Sequence, residues 1–432
     1  MRIIELDKAP AEVIQTILRR GMRDIESFME KVKPIMSDVQ KRGNQALLEY
    51  IKKFDGADLK ADELRVSPEE IKEAYELVDP KLMKALKLMA RNVKKFHKRQ
   101  MPKAERVKIS KGVEARWLVV PIESAGLYVP GGKGRFPSVA VHLSVPAKIA
   151  GVSRTVLCSP PMSNGKLDPA TIVAADMQGV DEIYKMGGAH AIAALAYGTE
   201  TIKPVFCIAG PGGPYVTAAK MLVQHIVKTD LPAGPSEGVV LADSTADPKF
   251  VAADVLNEAE HGPDSAGVLV TDSMELAKQV AVYIDEMMKS LSEMRRNFIN
   301  ENMQKYSAIV VTKSVEESIK FVNDYAPEHL VLLTKNPEKT LKMIKNAGTI
   351  CVGTYSPISG GNYVVGPNHV LPTGGTAKWT SGVSVDTFLK KPTVEKLSKR
   401  GLESLSEALI TVAEYEGFPA HANSVKVRLE KQ

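Results

Sequence analysis

Residues 116–132 read RWLVVPIESAGLYVPGG, a set of short β-rich runs that ends in a glycine turn. Residues 145–161 (VPAKIAGVSRTVLCSPP) and 170–188 (ATIVAADMQGVDEIYKMGG) each continue with a helical segment followed by a strand. Apolar strands that alternate with amphipathic helices are typical of a parallel sheet covered by helices on both faces. These stretches therefore predict an α/β fold.

A second series of apolar strands follows Asp230. It reads GVVLAD, AGVLVTD, SAIVVT, LVLLT and GTICVG, and helical segments such as PKFVAADVLNEAEHG separate the strands. Two α/β domains are the simplest account of the two series. The first hundred residues have helical periodicity instead, and Ser67-Pro68-Glu69-Glu70 predicts a helix start with a capping box.

The C-terminal third departs from this alternation. Residues 355–384 are rich in Gly, Pro, Ser and Thr, which predicts a long ordered loop that carries function. The last fifty residues return to a helical pattern and end in SVKVRLE, residues 424–430, whose alternation predicts a strand.

The composition excludes several classes of protein. The chain has 432 residues, 44% of them hydrophobic, and its 57 basic and 51 acidic residues are mixed along the sequence, so it is neither disordered nor fibrous. The basic run at 94–99 resembles a nucleic-acid patch, but it closes a helical pattern, where cations are favoured. We therefore expect a solvated helix end and no nucleic-acid partner.

The cysteines and the N-terminus bear on location. Cys158, Cys207 and Cys351 are far apart and have no CxxC spacing, so neither a disulfide framework nor a cysteine zinc site is expected. The sequence begins with charged residues and has no run of 18 apolar residues, which predicts no export signal and no membrane span. A cytoplasmic protein is expected.

Histidines in polar, Gly/Pro-flanked contexts are the candidate chemistry. Glu258 and His261 are three residues apart on a predicted helix, a metal-ligand spacing that a surface pair would also explain. Glu328 and His329 follow a proline at the edge of an element. Further candidates of this kind, any one of which alone would more often be structural, are Asn362, Asn368, His369, Glu416 and His421. Together they favour a His/carboxylate zinc site with an open position for substrate.

Two glycine turns follow predicted strands, at 131–132 and 210–213. Backbone amides in such turns can approach a phosphate, although ordinary turn chemistry explains both. The sequence contains no GxGxxG, GxxxxGK[ST], GxSxG or HExxH motif, which argues against nucleotide hydrolysis, serine hydrolysis and zinc peptidase chemistry.

The segment 230–265, DLPAGPSEGVVLADSTADPKFVAADVLNEAEHGPDS, strongly resembles the signature of histidinol dehydrogenases. GLYVPGG, VPAKIAGV, VLCSPP, GGAHAIAALAYGT, NDYAPEHL, PNHVLPTGG and EGFPAHANSV match that family in order, so the resemblance covers almost the whole chain.

The resemblance implies a homodimer with shared active sites, in which each chain has two incomplete, doubly wound Rossmann-like domains, a helical N-terminal arm and a C-terminal tail. The implied boundaries are 1–23 for the arm, 24–127 plus 236–383 for the domain that carries the catalytic and zinc residues, 128–235 for the NAD-binding domain, and 384–432 for the tail that completes the partner's active site.

The implied reaction takes a primary alcohol to a carboxylate through a bound aldehyde and reduces two NAD in succession, with one zinc ion per subunit. Glu328 resembles the base that activates water, and His329 the base that removes the alcohol proton. The residues that resemble substrate contacts are Ser236, Glu258, His261, His329, Asn362, His369, Glu416 and His421. The implied zinc ligands are Glu258, His261, Asn362 and His421, and the implied NAD contacts are Tyr128, His190 and Gly213.

The chain departs from the family pattern at the metal site. Histidinol dehydrogenases have glutamine where this chain has Glu258 and aspartate where it has Asn362. The summed ligand charge is unchanged, but the negative charge has moved across the site. At the NAD site, His190 replaces the family's glutamine and Gly213 its asparagine.

Three basic residues also differ from the family: Lys133, Arg135 and His142. A cationic rim suits an anionic head group, although these residues could instead contact the NAD pyrophosphate or only solvent. The departures resemble the sulfopropanediol 3-dehydrogenase branch, which predicts 2,3-dihydroxypropane-1-sulfonate, or a close anionic alcohol, as the substrate. The alternatives are L-histidinol and a metal-binding or regulatory descendant without catalysis.

Overall fold

The computed structural model describes residues 1–20, 25–132, 134–231 and 233–430. The chain divides into two compact units. The first comprises Met1–Gln100 and Ile122–Phe388, and the second Met101–Pro121 and Leu389–Gln432. The domain boundaries predicted from the sequence stay a prediction.

The strands in chain order are β1 Ile3–Glu5, β2 Arg106–Ser110, β3 Val113–Trp117, β4 Val120–Pro121, β5 Ser124–Tyr128, β6 Arg154–Ser159, β7 Glu182–Lys185, β8 Cys207–Ala209, β9 Lys228–Thr229, β10 Glu237–Ala242, β11 Ala266–Thr271, β12 Ala308–Val311, β13 His329–Leu333, β14 Thr349–Val352, β15 Leu389–Lys390 and β16 Thr393–Leu397.

The α-helices in chain order are α1 Ala11–Arg19, α2 Ile25–Arg42, α3 Asn44–Tyr50, α4 Pro68–Leu77, α5 Pro80–His97, α6 Pro137–Ala150, α7 Pro169–Asp176, α8 Gly188–Tyr197, α9 Pro214–Leu222, α10 Pro248–Ala259, α11 Met274–Met288, α12 Glu293–Lys305, α13 Val315–Tyr325, α14 Pro337–Leu341, α15 Ile358–Tyr363, α16 Lys399–Tyr415 and α17 Pro419–Leu429.

The first unit contains two parallel sheets. The larger has the strand order β1-β12-β11-β10-β13-β14, and every neighbouring pair in it is parallel. Its four inner strands, β12, β11, β10 and β13, are buried along their whole length, as expected for a sheet with helices on both faces. The predicted second α/β series is therefore confirmed.

The smaller parallel sheet has the order β7-β6-β5-β8-β9. The chain runs outward from β5 through β6 to β7 and then crosses to β8 on the other side of β5. This reversal between β5 and β8 is a topological switch point of the doubly wound kind. The helices α2 and α3 contribute Val32, Leu47 and other buried side chains to the core of this sheet.

The second unit contains an antiparallel sheet, β16-β3-β2, and the helices α16 and α17. The predicted strand at 424–430 is wrong, because residues 424–429 belong to α17. Pro419 at the first helical position starts the helix, and Ala422 and Val425, three residues apart, supply its buried contacts. A period-two alternation over seven residues was too short to decide the element.

Of the other local predictions, one is confirmed and two differ from the structure. The capping box is confirmed, since the Ser67 hydroxyl accepts from the Glu70 N–H and the Glu70 carboxylate accepts from the Ser67 N–H. Within the predicted loop 355–384 the structure forms the short helix α15. The predicted helical N-terminus begins instead with β1, which pairs with β12 at the sheet edge. Among the described residues, no helix is long and apolar enough to cross a membrane.

Cys158 is a buried residue of β6. Burial raises the pKa of its thiol, and it raises the pKa of Cys207 to about 12. Neither thiol is ionised at neutral pH, so neither is poised as a nucleophile.

We expect Asp254 to make stability fall with rising pH. Burial in α10 raises the pKa of Asp254 to about 6, above the ordinary 3.8 of an unfolded chain. The folded state therefore holds this proton more tightly, and the resulting stability, present below pH 4, is lost as pH rises through 6. The variant Asp254→Asn should raise the free energy of unfolding by about 1–2 kcal/mol at pH 8 and leave it unchanged at pH 4.

Urea unfolding at the two pH values measures this difference. Asp324→Asn, at an exposed aspartate on α13, is the matched control and should change neither value. An equal gain at both pH values for Asp254→Asn would contradict the assignment to a buried carboxylate.

Candidate active site

The candidate site lies at the amino edge of the larger parallel sheet. Glu237 is the first residue of β10 and His329 the first of β13, and in the ladder Gly238 is the partner of His329. Helix α10 connects β10 to β11, so its last turn returns to the edge where the strands begin. This return places Glu258 beside the strand starts.

Two glycines let the end of α10 approach the sheet closely. Gly238 and Gly267 are partners in the ladder between β10 and β11. A Cβ at Gly238 would lie 2.6 Å from Cγ of Glu258, and a Cβ at Gly267 would overlap the carbonyl of Val255. The side chain of Glu258 therefore occupies the space that a larger strand residue would fill.

Three potential ligands converge here. One ligand atom from each of Glu258, Glu328 and His329 lies within 4.8 Å of the others, and all three residues are buried. His329 Nδ1 is 3.8 Å from an oxygen of each carboxylate. Glu328 also accepts a hydrogen bond of 3.1 Å from the backbone N–H of Glu237, which fixes its orientation.

Burial sets the protonation of this cluster. It raises the pKa of the Glu328 carboxyl well above the usual range, and the neighbouring carboxylates of Glu258 and Glu237 raise it further. Burial also raises the pKa of Glu258, which His261 partly offsets. Burial lowers the pKa of His329 to about 4. At neutral pH the imidazole is therefore uncharged and can accept a proton.

Asn362 orients the imidazoles of both His329 and His369. Asn362 Oδ1 lies 2.9 Å from His329 Nε2, so the amide oxygen accepts from that nitrogen and the lone pair of His329 is left on Nδ1. The backbone carbonyl of Asn362 accepts from His369 Nδ1 at 2.7 Å, which leaves the lone pair of His369 on Nε2. Asn362, in the loop predicted to carry function, thus contacts His329, a predicted catalytic residue.

The donor atoms fit a divalent metal ion. Glu258 Oε1, His329 Nδ1 and His369 Nε2 are buried without a hydrogen-bond partner, and unpartnered buried atoms of this kind are costly. Carboxylate oxygen and imidazole nitrogen are the ligands that zinc accepts. The residues at this edge of the sheet are therefore suited to hold zinc.

Only some of the predicted zinc ligands lie close to Glu258. His261, half-exposed just beyond the end of α10, has Nε2 3.9 Å from a Glu258 oxygen. Asn362 contacts His329, and Glu328 joins the cluster although it was predicted as a base and not as a ligand. Glu416 and His421 are exposed residues of the second unit. The assignment of four zinc ligands stays a prediction.

No sequence pattern identifies Arg20 or Glu237 as a functional residue. Both side chains are buried, and the Arg20 guanidinium forms a bidentate ion pair with the Glu237 carboxylate. The Glu237 carboxylate also accepts from the N–H of Gly374 at 3.1 Å. Arg20 follows Arg19 at the end of an amphipathic helix, where basic residues are common, so no local pattern separates it from its neighbour.

His142 does not supply the cationic charge expected of it. It is fully buried in α6, its ring stacks on that of His369 with centroids 4.1 Å apart, and neither ring nitrogen has a partner. Burial holds the pKa of His142 well below its usual range, and His369 lowers it further. The expectation of a charged His142 on an anion-binding rim is therefore wrong, because the side chain is buried and its imidazole is uncharged at neutral pH.

The other two basic residues give the rim little support. The Arg135 side chain is 76% exposed, and its Nε lies 3.5 Å from the carboxylate of Asp168. Lys133 lies outside the described residues. The charge of Arg135 is thus already partly matched within the protein.

The predicted NAD contacts lie near the switch point of the smaller sheet. Tyr128 ends β5 and its hydroxyl accepts from the N–H of Gly188 at 3.1 Å. His190 in α8 is buried 3.3 Å from the Asp55 carboxylate, while Gly213 precedes α9 with open space above its Cα. Ligands of doubly wound sheets bind at such a crevice, which makes this edge the candidate dinucleotide site.

Ser236, a predicted substrate contact, lines a cavity of about 280 Å³ next to Glu237. Thr373, Gly374 and Trp379, all from the loop after α15, line the same cavity. The predicted functional loop therefore does border a partly open cavity beside Glu237, one of the three carboxyl groups (Glu237, Glu258 and Glu328) that form the acidic cluster.

The chain is similar to known proteins of one family, both in sequence and in structure. A family model described as histidinol dehydrogenase matches residues 18–429. The histidinol dehydrogenase of Methanothermobacter thermautotrophicus is 46% identical over 429 residues, 99% of each chain. A protein of Colwellia psychrerythraea named histidinol dehydrogenase homolog is 44% identical over 427 residues, 98% of this chain and 96% of its own. The crystal structure of histidinol dehydrogenase from Elizabethkingia anophelis aligns with a TM-score of 0.93 at 38% identity, covering 99% of this chain and 98% of that one.

We expect zinc to stabilise the protein through Glu258. After removal of metal with a chelator, zinc at roughly a hundredfold excess over its Kd should add about 2.7 kcal/mol to the free energy of unfolding, which corresponds to a rise in Tm of several degrees. Glu258→Ala should lose most of this rise. Differential scanning calorimetry measures it.

The matched control is His225→Ala, which removes an exposed histidine that is not part of the acidic cluster. It should keep the full rise in Tm. If Glu258→Ala kept it as well, Glu258 would not be a zinc ligand.

Proposed function

This chain belongs to the histidinol dehydrogenase family, and from that premise we propose that it oxidises L-histidinol to L-histidine with NAD as the hydride acceptor and zinc at the acidic cluster. The observation that carries the choice of substrate is the charge of the cluster. Glu237 is paired with Arg20, whereas Glu258 and Glu328 are buried with raised pKa values. A cation bound beside them would lower those pKa values, and the two ionised carboxylates would then carry an excess of two negative charges.

That excess favours a cationic ligand set. A divalent ion balances the two charges, and an amine substrate is then not repelled. An anion has less to bind, since the N–H groups of Arg20 are already engaged by Glu237 and by backbone carbonyls, and His142 is uncharged. The names of the similar proteins point the same way.

The residues present can divide the reaction into two oxidations. A hydride leaves the alcohol carbon readily only as the oxygen loses its proton. Under this proposal zinc would be held by Glu258 and the other predicted ligands and not by His329, so the lone pair on Nδ1 of His329 would stay free to take that proton. Oxidation of the aldehyde requires added water, and the carboxylate of Glu328 is the nearby group that can accept a proton from it. Zinc, when bound, supplies Lewis-acid polarisation and orientation of the alcohol oxygen.

The atoms balance for a four-electron oxidation. The alcohol R–CH₂OH and one water lose two hydrides, one to each of two NAD⁺, and three protons, and give the carboxylate R–COO⁻. No thiol is needed for this sequence, which agrees with the un-ionised state of Cys158 and Cys207.

A second candidate substrate is 2,3-dihydroxypropane-1-sulfonate, the one favoured by the sequence. One specific observation still supports it: carboxylate at Glu258 and amide at Asn362 reverse the family's arrangement, and Asn362 in this chain orients His329. The state of His142 and the pairing of Arg135 with Asp168 remove much of the cationic rim on which that choice depended. L-Histidinol is therefore the leading proposal.

The proposal includes a homodimer in which the tail reaches a partner's site. Large apolar side chains on α16 and just beyond it support a covered surface there: Val412 is 55%, Tyr415 93% and Phe418 52% exposed in the single chain. Under this proposal the predicted roles of Glu416 and His421 are exerted on the partner chain.

The deciding experiment follows NADH formation to completion by zinc-loaded protein with L-histidinol and with 2,3-dihydroxypropane-1-sulfonate in parallel. We expect two NADH per L-histidinol and none from the sulfonate. The reverse result would establish the second candidate. No NADH from either substrate or from a panel of primary alcohols would favour a non-catalytic descendant.

Exchange of the amide and carboxylate tests the role of charge placement. Glu258→Gln alone removes one carboxylate and should weaken zinc binding by about tenfold or more. The double variant Glu258→Gln/Asn362→Asp restores the total charge and should regain zinc affinity and keep L-histidinol oxidation within about tenfold. Isothermal titration with zinc and steady-state kinetics measure the two quantities, and a double variant no better than Glu258→Gln would show that the exchange is not compensated.

A further inference from the structure

Two non-glycine residues in the described part of the chain have a left-handed φ, and they contact each other. Arg20 has φ 41° and Ala326 has φ 51°. An Nη2 hydrogen of Arg20 is donated to the carbonyl of Ala326 at 3.2 Å. Such backbone conformations are unfavourable for L residues by roughly 1–3 kcal/mol each and persist only where surrounding contacts hold them.

The guanidinium of Arg20 is fully engaged. Nε and Nη2 donate to the Glu237 carboxylate, while Nη1 donates to the carbonyls of Leu18 at 2.7 Å and Tyr325 at 2.9 Å. With the bond to Ala326 this makes five contacts, the full donor capacity of an arginine. The plane of the guanidinium also lies over the Tyr325 ring, 3.7 Å from its centroid.

These contacts meet at the turn that presents the two candidate bases. Helix α13 ends at Tyr325, Ala326 reverses the chain in the left-handed conformation, and after Pro327 come Glu328 and the first residue of β13, His329. Arg20 contacts the turn through two carbonyls, and it contacts Glu237, whose N–H binds the Glu328 carboxylate. The Arg20 side chain thus contacts both the turn at residues 325–326 and Glu237, the two features that fix the position of Glu328.

We infer that Arg20 is a positioning residue that holds the strained turn at Ala326 and thereby keeps Glu328 and His329 in their reactive positions. This inference rests on the proposed function for the roles of the two bases. Because Arg20 touches neither base directly, it acts through the backbone of residues 325–326 and through Glu237.

The test uses the full-length, zinc-loaded protein and compares Arg20→Met, Arg20→Lys and Arg20→Met/Ala326→Gly. Glycine adopts the left-handed conformation without strain, so it relieves the turn of its need for Arg20. Alcohol and aldehyde oxidation are measured separately, together with the KM for NAD, zinc content and Tm. Arg154→Met is the matched control. It removes the ion pair between Arg154 and Glu182, which lies at the amino ends of β6 and β7 in the smaller sheet.

We expect Arg20→Met to lower kcat for both oxidations by about a hundredfold, with zinc content and the KM for NAD unchanged, since misplacement of reacting groups by about 1 Å has this effect. Arg20→Lys keeps the charge but cannot make all the contacts and should lose less. Adding Ala326→Gly to Arg20→Met should restore kcat by about tenfold or more. Arg154→Met should lower Tm without a change in kcat.

A different pattern would overturn the inference. If Ala326→Gly restored the Tm of Arg20→Met but not its kcat, Arg20 would serve only stability. A crystal structure of Arg20→Met that kept the left-handed Ala326 and the His329–Asn362 hydrogen bond would also refute it. The proposed function fails on a different result: the wild-type protein oxidises no alcohol. In that case the crystal structure of Arg20→Met still tests whether Arg20 holds the turn.

Discussion

Parallel pairing of β10 with β13 is the constraint on which the candidate site depends. It sets the first residues of two buried strands side by side, so that Glu237 and the pair Glu328-His329 share one edge of the sheet. A shift of β13 by one residue against β10 would turn His329 to the opposite face of the sheet. The apolar strands that follow, buried on both faces, fix that register through their packing.

The site concentrates carboxyl and imidazole groups where water is excluded. Two carboxylates with raised pKa, a third paired with Arg20 and two imidazoles with lowered pKa are together costly to bury. A fold retains such groups when a ligand compensates them, and the unpartnered atoms of Glu258, His329 and His369 identify where that compensation is missing in the protein alone.

Much of this was predictable from the sequence, and the rest was not for physical reasons. Strand and helix alternation, the capping box and the polar setting of Glu258, His261, Glu328 and His329 are local signals. The pairing of Arg20 with Glu237 spans 217 residues and leaves no local trace. The state of His142 depends on its burial against His369, which composition cannot reveal, and the helix at 419–429 depends on contacts that override a strand-like alternation.

The two parallel sheets present opposite ends to their candidate ligands, and the helix dipoles therefore point in opposite senses. At the amino edge of the larger sheet the ligands meet the C-terminal end of α10, where the partial charge is negative. At the carboxyl edge of the smaller sheet they meet the beginnings of α8 and α9, where backbone N–H groups point outward and the partial charge is positive. The backbone dipoles alone therefore favour a cation at the amino edge of the larger sheet and an anion such as a phosphate at the carboxyl edge of the smaller sheet.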